Sequence, residues 1–427
     1  MIAKTCYRCR KLFKRWMKET RGLRTLFRSF HELTGLMGLP LFAMTLLFGS
    51  GCNAEKKKVD LSGEARDNYI KAKPAPEWQG MLTRYHGWIG ADGVYAVAMN
   101  GVETPGSADS THTFFWFSDT ILGDIVDDSL HNWDMVNNSV GFMQGGTPDP
   151  ANMKMNVRYD DKGKPLSVFS PQTPQTKEGE YYWLGDGVFN HSLDSTIYIF
   201  AYKIVNVPGS PFPFKQTGVS LIAIPRISKF PFTDQRQMDT PLFIEDSAGV
   251  TFYGASLLPN TVGARAPNPD GFIYVYGVRS GSLVVARVKD ISFEDFSQWT
   301  YWDGKAWNLD KHKAAALTRQ VSNEMSVSFM EDGRVIAIYQ REGNSPDIMM
   351  QIGITPTGPF YPAKKIYETP EVYQDVDFYT YNAKGYPHLS KPGELLISYN
   401  VNAFDFEKKF PRYPHHLRPR FITVKYK

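Results

Sequence analysis

The feature that most constrains this chain is a series of short apolar runs, rich in aromatic and β-branched residues, from about Trp78 onward. Residues within a run alternate with a period of two, and Gly, Pro, Asn or Asp separates the runs, as in strands joined by tight turns. Clear examples cover 93–99, 111–119, 195–204, 271–278, 282–288, 334–340, 347–354, 394–401 and 421–426. No stretch has the periodicity of an amphipathic helix longer than about three turns. We therefore predict an all-β fold.

The runs fall into recurring groups. Group starts lie near Gly90, Trp183, Thr251, Ser322 and Asn382. Starts are about 70 residues apart, longer than the roughly 40–50 residues of common propeller repeats, which implies insertions at the loops. Five groups of about four strands predict a five-bladed β-propeller over residues 76–427. A pair of two-sheet sandwiches is the alternative.

The N-terminal part of the chain has a different character. Residues 1–32 carry ten basic and two acidic side chains, and residues 33–51 are uncharged and largely apolar. A basic segment followed by an apolar run and small residues is typical of a secretory signal. The small residues directly before Cys52 resemble the lipobox of bacterial lipoproteins, in which the cysteine is acylated.

We therefore predict a signal peptide over 1–51, lipidation of Cys52, for example by palmitate, and a flexible polar tether over 52–75. An uncleaved membrane anchor is the alternative. In either case the domain lies outside the cytoplasm, and we expect the lipid to hold it at the outer membrane.

Net charge must be divided between these parts. The whole chain carries +4, and its basic N-terminal segment contributes +8, so the remainder carries about −4. Nucleic-acid binding requires clustered Lys and Arg on the mature surface, so we predict no nucleic-acid partner.

Cys6, Cys9 and Cys52 are the three cysteines. Cys6 and Cys9 lie in the predicted signal peptide and Cys52 is the predicted lipid site. The mature domain therefore has no disulfide and depends on burial of its core.

In a propeller the innermost strand of each blade lines the central axis. Acidic residues recur where these predicted strands begin, or in the turn after the strand that follows. Asp92 lies in GADGVYA, Asp186 in WLGDGV, Asp119 directly after FFWFS and Glu324 directly before MSV. Carboxylates that converge on a central pocket are what glycosidic cleavage requires, one protonated and another ionised. The alternative for an Asp beside Gly is a turn residue that satisfies its own backbone.

Their surroundings suggest roles for these acids. Glu324 has apolar neighbours and suits the proton donor, whereas Asp92 in a polar turn suits the ionised base. Asp186 or Asp119 would then orient the substrate or tune the donor. The opening of the fifth group also supplies Lys384 and His388.

Other residues would suit a sugar pocket. Aromatic faces come from Trp183, Tyr253 and Tyr379, and hydrogen-bonding groups come from Asn138, Arg287 and His388. Structural alternatives exist, because Arg287 lies inside an apolar run and suits a buried ion pair, and His388 can cap a turn. The sequence has no HExxH or GxSxG motif and no phosphate-binding glycine loop. We predict no cofactor. A structural calcium ion on the propeller axis is the alternative, although the sequence has no EF-hand-like spacing.

The segments GADGVYA, FWFSDT, NNSVGF, WLGDGV, YVYGV with VARV, and YNAKGYP with LLISYNVN together resemble a family of bacterial lipoproteins classed as a domain of unknown function. That family is similar to a second one that includes endo-D-arabinanases built on a five-bladed propeller, and more distantly to arabinanase and β-xylosidase propellers. The resemblance covers most of 80–403. It implies that Asp92 matches the base on the first blade and Asp186 the Asp on the second. Glu324 departs from the distant pattern, which places the acid on the third blade; Asp246, on the segment that precedes this blade, is the substitute.

These observations lead us to expect a lipid-anchored glycoside hydrolase that acts on an arabinan-like polysaccharide or oligosaccharide. The first alternative is a non-catalytic glycan-binding surface lipoprotein, which needs aromatic and amide groups in its pocket but no opposed carboxyl pair. The second is a structural or assembly lipoprotein whose axis is filled with apolar side chains.

Overall fold

The computed structural model describes residues 70–209, 213–247 and 249–426 of the 427-residue chain. The predicted signal peptide, Cys52 and most of the predicted tether lie outside the described residues. The large compact unit contains the described residues within 70–206 and 215–426. In the second unit, the described residues around 207–214 form a turn in which the Val207 N–H donates to the Pro213 carbonyl at 2.8 Å. No helix in the described ranges is long and apolar enough to cross a membrane.

The described part of the chain consists mainly of strands. In chain order they are β1 (Lys71–Pro74), β2 (His86–Ala91), β3 (Tyr95–Ala98), β4 (His112–Phe117), β5 (Thr120–Val126), β6 (Ser129–Val136), β7 (Ser139–Gln144), β8 (Met153–Asn156), β9 (Arg158–Tyr159), β10 (Pro165–Leu166), β11 (Tyr181–Asn190), β12 (Thr196–Asn206), β13 (Phe214–Ile224), β14 (Arg236–Asp239), β15 (Phe243–Asp246), β16 (Gly249–Asn260), β17 (Phe272–Arg279), β18 (Ser282–Lys289), β19 (Thr300–Trp302), β20 (Trp307–Asn308), β21 (Thr318–Arg319), β22 (Met325–Phe329), β23 (Val335–Gln340), β24 (Asp347–Gly353), β25 (Lys364–Glu368), β26 (Phe378–Tyr386), β27 (Glu394–Ala403) and β28 (Arg420–Lys425). The α-helices in the described ranges are α1 (Pro76–Met81) and α2 (Phe406–Lys409). Single 3₁₀ turns occupy Ser107–Ser110, Pro150–Asn152, Asp290–Ser292, Phe296–Gln298, Lys311–Lys313, Pro370–Tyr373, Pro387–Leu389 and Pro414–Leu417.

The described strands form five sheets of four or more strands and two smaller sheets. The larger sheets are β3-β4-β7-β8, β11-β12-β13-β14, β15 to β20 with β21 beside β18, β22-β23-β24-β25, and β26-β27-β28-β1. The smaller ones are β2-β5-β6 and the hairpin β9-β10. The all-β prediction is confirmed, and every run named from the sequence overlaps one of these strands.

One strand of each larger sheet lies beside its counterpart in the next sheet. β11 contacts β3 and β16, β16 contacts β22, and β22 contacts β26. The series returns to its start through side chains, because the Tyr386 hydroxyl on β26 donates to the Val94 carbonyl just before β3 at 2.9 Å. We call β3, β11, β16, β22 and β26 the inner strands. Their side-by-side arrangement is what brings residues from distant parts of the sequence to one site.

The core lies between neighbouring sheets. One apolar cluster joins the β3 sheet to the β11 sheet and contains the fully buried Phe114 and Trp116 of β4. The Trp116 indole N–H donates to the Gly185 carbonyl of β11 at 2.8 Å, so this ring is also satisfied as a polar group. Burial of one such aromatic ring contributes about 3 kcal/mol to folding. Packing of this kind fixes the spacing between the inner strands.

The N-terminal boundary of the domain differs from the prediction. The tether was expected to extend to residue 75, but Lys71–Pro74 pairs antiparallel with β28, with Ala72 opposite Val424. A polar composition suggested a flexible segment, yet ladder hydrogen bonds are made by the backbone and depend little on composition. The domain therefore includes the last residues of the predicted tether.

Candidate active site

Register shifts interrupt three of the five inner strands. They fall between residues 184 and 187 of β11, 253 and 256 of β16, and 381 and 384 of β26. A bulge of this kind breaks the regular alternation of side chains and re-aims them. Asp186 lies within the first shift, and Tyr381 and Lys384 flank the third. The sequence therefore places polar groups where the strand geometry is irregular.

The turns that carry Asp92 and Asp119 are joined by their backbones. The Asp92 N–H donates to the Asp119 carbonyl at 3.1 Å, and the Ser118 N–H donates to the Asp92 carbonyl at 2.9 Å. Gly93 has a φ of 56°, and a Cβ on it would lie 2.5 Å from the Ser118 hydroxyl oxygen, so only glycine allows this approach. The two acids, predicted from separate loops, are neighbours in the fold.

Each of these carboxylates has specific hydrogen-bond donors. The Tyr381 hydroxyl donates to Asp92 Oδ2 at 2.5 Å. The Trp183 indole N–H donates to Asp119 Oδ1 at 3.0 Å, and the Asn137 amide donates to the same oxygen at 3.4 Å. Side chains from β26 and β11 therefore hold the two acids, which lie where the chain passes between the β2-β5-β6 sheet and the β3 sheet.

Burial changes the proton affinity of both acids. Loss of solvation raises the pKa of Asp92 well above its usual range, the nearby charge of Asp119 raises it further, and the Tyr381 hydrogen bond opposes the rise. Burial raises the pKa of Asp119 to about 6, against the opposing hydrogen bonds from Trp183 and Asn137. These influences favour Asp92 as the member of the pair that retains a proton.

Both acids line one cavity of about 290 Å³, which we call the acid cavity. Tyr381, Asn400 and Asn402 add polar groups to its wall. Its apolar lining includes Ile121, Trp133, Met135, Val401, Phe406, Phe410 and Leu417, and Glu407 lies on its exposed rim. Its volume approaches the lower limit of typical small-molecule sites, which are also mostly apolar with a few placed polar groups.

Lys384 connects the two remaining predicted acids to this pair. It is 1% exposed, its ammonium group forms an ion pair with Glu324, and it lies 3.8 Å from the centre of the Tyr95 ring. Its charge also lowers the pKa values of Asp92 and Asp186, although burial is the larger influence on each. Lys384 is therefore a buried cation whose charge reaches Asp92, Asp186 and Glu324.

The role predicted for Glu324 needs correction. Its apolar sequence neighbours suggested a carboxyl group that keeps its proton in an apolar pocket. In the fold, Lys384 from β26 faces it and supplies a positive charge. Glu324 is therefore better placed to neutralise Lys384 than to donate a proton.

Asp186 is held by the backbone. Its Oδ1 accepts the Gly187 N–H at 2.8 Å and its Oδ2 accepts the Leu257 N–H at 2.6 Å. Burial raises its pKa to about 7 despite these two donors. Asp186 lines a second cavity, which also contacts Glu103 and His388 at the carboxyl ends of the inner strands. It therefore connects β11 to β16 and lies outside the acid cavity.

Two of the six predicted sugar-contact residues lie beside the acid pair. Trp183 donates to Asp119, as described above. Tyr379 packs against Tyr381 with ring centres 5.6 Å apart, and the charge of Asp92 adds to the burial that raises its pKa. Both are partly exposed. Neither lines the acid cavity itself, and a sugar contact stays a prediction for both.

Three others do not face this site. Asn138 is fully buried, and its amide is used by the backbones of Phe169 and Tyr182. Tyr253 is fully buried in the core. Arg287 lies between the Phe272 and Trp307 rings, about 4 Å from each centre. Asn138 and Tyr253 are taken up by the core and Arg287 by two partly buried rings, so none of the three lines the acid cavity.

Two further candidates also lie elsewhere. His388 is 1% exposed, and its Nδ1 lies 2.9 Å from a Glu103 carboxylate oxygen in the second cavity. Asp246, the substitute for the acid, lies on β15 with an oxygen 2.9 Å from His312 Nδ1. Within the described ranges, no group of three or more His, Cys, Asp or Glu side chains is arranged to hold a metal ion.

Sequence reasoning missed Tyr381, Asn137 and Asn400. Tyr381 could have been found, because it lies two residues after Tyr379 on the same strand, and such residues share a face. Asn137 was passed over in favour of its neighbour Asn138, one residue on and oppositely directed. Asn400 lies inside an apolar run and gave no signal.

One solved structure shows a related fold. The chain is similar to a protein from Bacteroides ovatus described as a candidate hydrolase, with a TM-score of 0.63 and 20% identity, over 84% of this chain and 92% of that chain. It is also similar to an exo-β-1,3-galactanase from Phanerochaete chrysosporium, with a TM-score of 0.41 and 10% identity, over 78% and 60% of the two chains. An α-L-arabinofuranosidase from Podospora anserina gives a TM-score of 0.39 and 9% identity, over 81% and 98%. No curated protein sequence gives a significant match.

The family comparison covers nearly the whole described domain. The sequence model of a family described as "Domain of unknown function (DUF5005)" matches residues 76–426, from the start of α1 to just beyond β28. This confirms the expected membership of a family of unknown function, while the likeness to endo-D-arabinanases stays a prediction. The chain belongs to the DUF5005 family.

Proposed function

We propose that this protein is a glycoside hydrolase whose reaction takes place in the acid cavity. We further propose that its five larger sheets are the blades of a five-bladed β-propeller around the inner strands. The side-by-side contacts of those strands support the second proposal. The fold shared with the Bacteroides ovatus protein, itself described as a candidate hydrolase, agrees with the first.

One observation carries the catalytic proposal. Asp92 and Asp119 line the same cavity, and their surroundings give them different proton affinities. Glycosidic cleavage needs one protonated and one ionised carboxyl group, and such a separation is how acid and base roles are assigned. Asp92 is then the proton donor and Asp119 the ionised base or nucleophile, which reverses the role that the sequence suggested for Asp92.

Neighbouring groups would support this division of roles. Tyr381 and Trp183 fix the orientation of the two carboxyl groups through their hydrogen bonds. Trp183 and Tyr379 offer flat faces beside the pair, which suits sugar rings. Lys384 supplies a buried positive charge near the pair, and this charge limits the rise in the pKa of Asp92.

Turnover by acid-pair variants tests the proposal. Purified wild-type protein, Asp92→Asn and Asp119→Asn would be incubated with a panel of polysaccharides that includes arabinan, and new reducing ends would be measured. General acid–base groups contribute roughly 10²–10⁴-fold to the rate, so each variant should lose that much activity. Asp134→Asn is the matched control, because Asp134 is an exposed acid on the neighbouring strand β6.

The same experiment distinguishes a glycoside hydrolase from the alternative, a non-catalytic glycan-binding protein. Wild-type turnover that survives both substitutions would exclude this acid pair. Retention of a glycan without any turnover would instead favour the non-catalytic glycan-binding lipoprotein. The aromatic and amide groups of the cavity suit both functions, so only the chemistry distinguishes them.

We also propose that the protein is exported and anchored by a lipid on Cys52, on the grounds of the N-terminal sequence. Incorporation of labelled palmitate into the wild type but not into Cys52→Ser, with loss of the variant from the membrane fraction, is the expected result. Equal labelling of both proteins would contradict it.

A further inference from the structure

The acid cavity is rich in hydrogen-bond acceptors. Asn400 is 2% exposed and lines it, and its amide N–H donates to the Ala91 carbonyl at 3.1 Å. The amide oxygen of the same side chain is buried without a protein partner. An unpaired buried acceptor is unfavourable, so an O–H or N–H donor that reached this oxygen would be bound favourably. Asp119 adds a second acceptor to the same wall.

Charge in the cavity has one sign. Asp92, Asp119 and Glu407 contribute carboxyl groups, and the lining residues within the described ranges include no Lys, Arg or His. Lys384, the cation whose charge acts on Asp92, already forms an ion pair with Glu324. A ligand carboxylate or sulfate would therefore meet negative charge with no cation to pair with, and like-charge juxtaposition costs several kcal/mol.

The remaining lining is apolar and partly aromatic. Trp133 and Phe406 face each other edge to face, with ring centres 6.1 Å apart, at the mouth of the cavity. Such rings suit the C–H faces of sugars, while the acceptors between them suit hydroxyl groups. The wall thus matches a ligand that donates hydrogen bonds and carries no charge.

We propose that the acid cavity selects neutral, hydroxyl-rich glycans and rejects those that carry uronate or sulfate groups. This inference rests on the proposed function for the assignment of the cavity as the substrate site. It goes beyond that function by naming the chemical class of the sugar and the groups that choose it.

Affinity electrophoresis of the purified protein tests the selection. Gels of low ionic strength would contain either neutral glycans (arabinan, galactan, xylan, mannan) or anionic ones (polygalacturonate, alginate, chondroitin sulfate). We expect at least one neutral glycan to bind at least about tenfold more tightly than every anionic one, which corresponds to about 1.4 kcal/mol. Equal or tighter binding of an anionic glycan would overturn the inference, and so would failure of the whole panel to bind.

A charge reversal on the rim tests the mechanism. Glu407→Lys should strengthen retention by polygalacturonate severalfold at low salt, and added salt should remove the gain because exposed charges are screened. Asp161→Lys makes the same charge change at an exposed turn between β9 and β10, outside the cavity lining, and should have no effect. An equal gain in both variants would show that net charge, not the cavity, decides.

Binding and turnover together separate this inference from the proposed function. A neutral glycan that is retained but not cleaved would leave the charge selection standing and reject the hydrolase. Cleavage of an anionic glycan by the wild type but not by Asp92→Asn would support the hydrolase and reject the charge selection.

Discussion

At the residue scale, the spatial partners of a carboxyl group decided its role more than its sequence neighbours did. Glu324 has apolar residues beside it in the sequence, yet the side chain that faces it is the ammonium group of Lys384. Asp119 lies in an ordinary turn after a strand, yet burial raises its pKa to about 6. Desolvation and charge act through space, so a linear sequence predicts them poorly.

Asp119→Asn should stabilise the protein at pH 8. Because the folded state holds the Asp119 proton more tightly than the unfolded chain does, stability falls as the pH rises from about 4 to 6 and stays lower above it. The penalty at pH 8 is up to about 3 kcal/mol, and asparagine removes the charge while its Oδ1 can still accept from Trp183 and Asn137. Urea unfolding at pH 8 and pH 4 measures the difference, which should be small at pH 4.

Asp134→Asn is the control for this measurement, since it removes an exposed charge nearby and should change stability by less than about 0.5 kcal/mol. A lower stability of Asp119→Asn at pH 8 would contradict the prediction. A variant that gains stability and loses turnover would mark Asp119 as a residue kept for function.

At the element scale, irregular positions within strands direct the side chains of the site. Tyr381 and Lys384 flank the register shift in β26, and Asp186 lies within that of β11. A period-two reading assumes regular alternation, so it cannot say which side chain a bulge re-aims. Tyr379 and Tyr381 both lie before the shift and share a face, so alternation could have found Tyr381, whereas it could not have placed Lys384 beyond the shift.

Gly254→Ala should strongly destabilise the bulge of β16. Gly254 has a φ of 101°, and a Cβ there would lie 2.4 Å from Cγ of the buried Phe200. Backbone strain of about 1–2 kcal/mol adds to overpacking of about 1–3 kcal/mol. Gly281→Ala is the control, because Gly281 has a φ of 76° but open space around it, so only the strain should appear. Equal losses of unfolding free energy in the two variants would show that the contact with Phe200 is harmless.

At the scale of the whole molecule, one sheet is completed by both ends of the domain. β1 forms the edge of the sheet made by β26, β27 and β28. This pairing joins residues more than 340 positions apart, such as Ala72 and Val424, which ties the start of the domain to its end.

Removal of this edge strand should destabilise the whole domain. Deletion of residues 1–75 should lower the free energy of unfolding by about 2–4 kcal/mol, at about 1 kcal/mol per ladder hydrogen bond. Deletion of residues 1–69 leaves β1 in place and should change the free energy of unfolding little, because it removes only the predicted signal peptide and the part of the predicted tether before β1. Thermal melting of the two shortened chains makes the comparison, and equal melting temperatures would reject a role for β1.

Much of the fold could be predicted because strand propensity is local. Runs such as 195–204 and 334–340 have a period of two and turn residues at their ends, and both form strands. The edge strand β1 could not be predicted, because its residues are polar and its stability comes from β28 at the far end of the chain. Candidate sites followed the same rule: Asp92 and Asp119 carry local turn signals, while Asn400 lies in an apolar run and carries none.

The sequence by itself determined that this chain is built of short strands and that acids stand at their turns, because alternation and turn chemistry are properties of neighbouring residues. The tertiary structure alone decided which acids meet, which of them keeps a proton and which is neutralised by Lys384. Those outcomes depend on desolvation and on charges a few ångströms away, and residues distant in the sequence supply both.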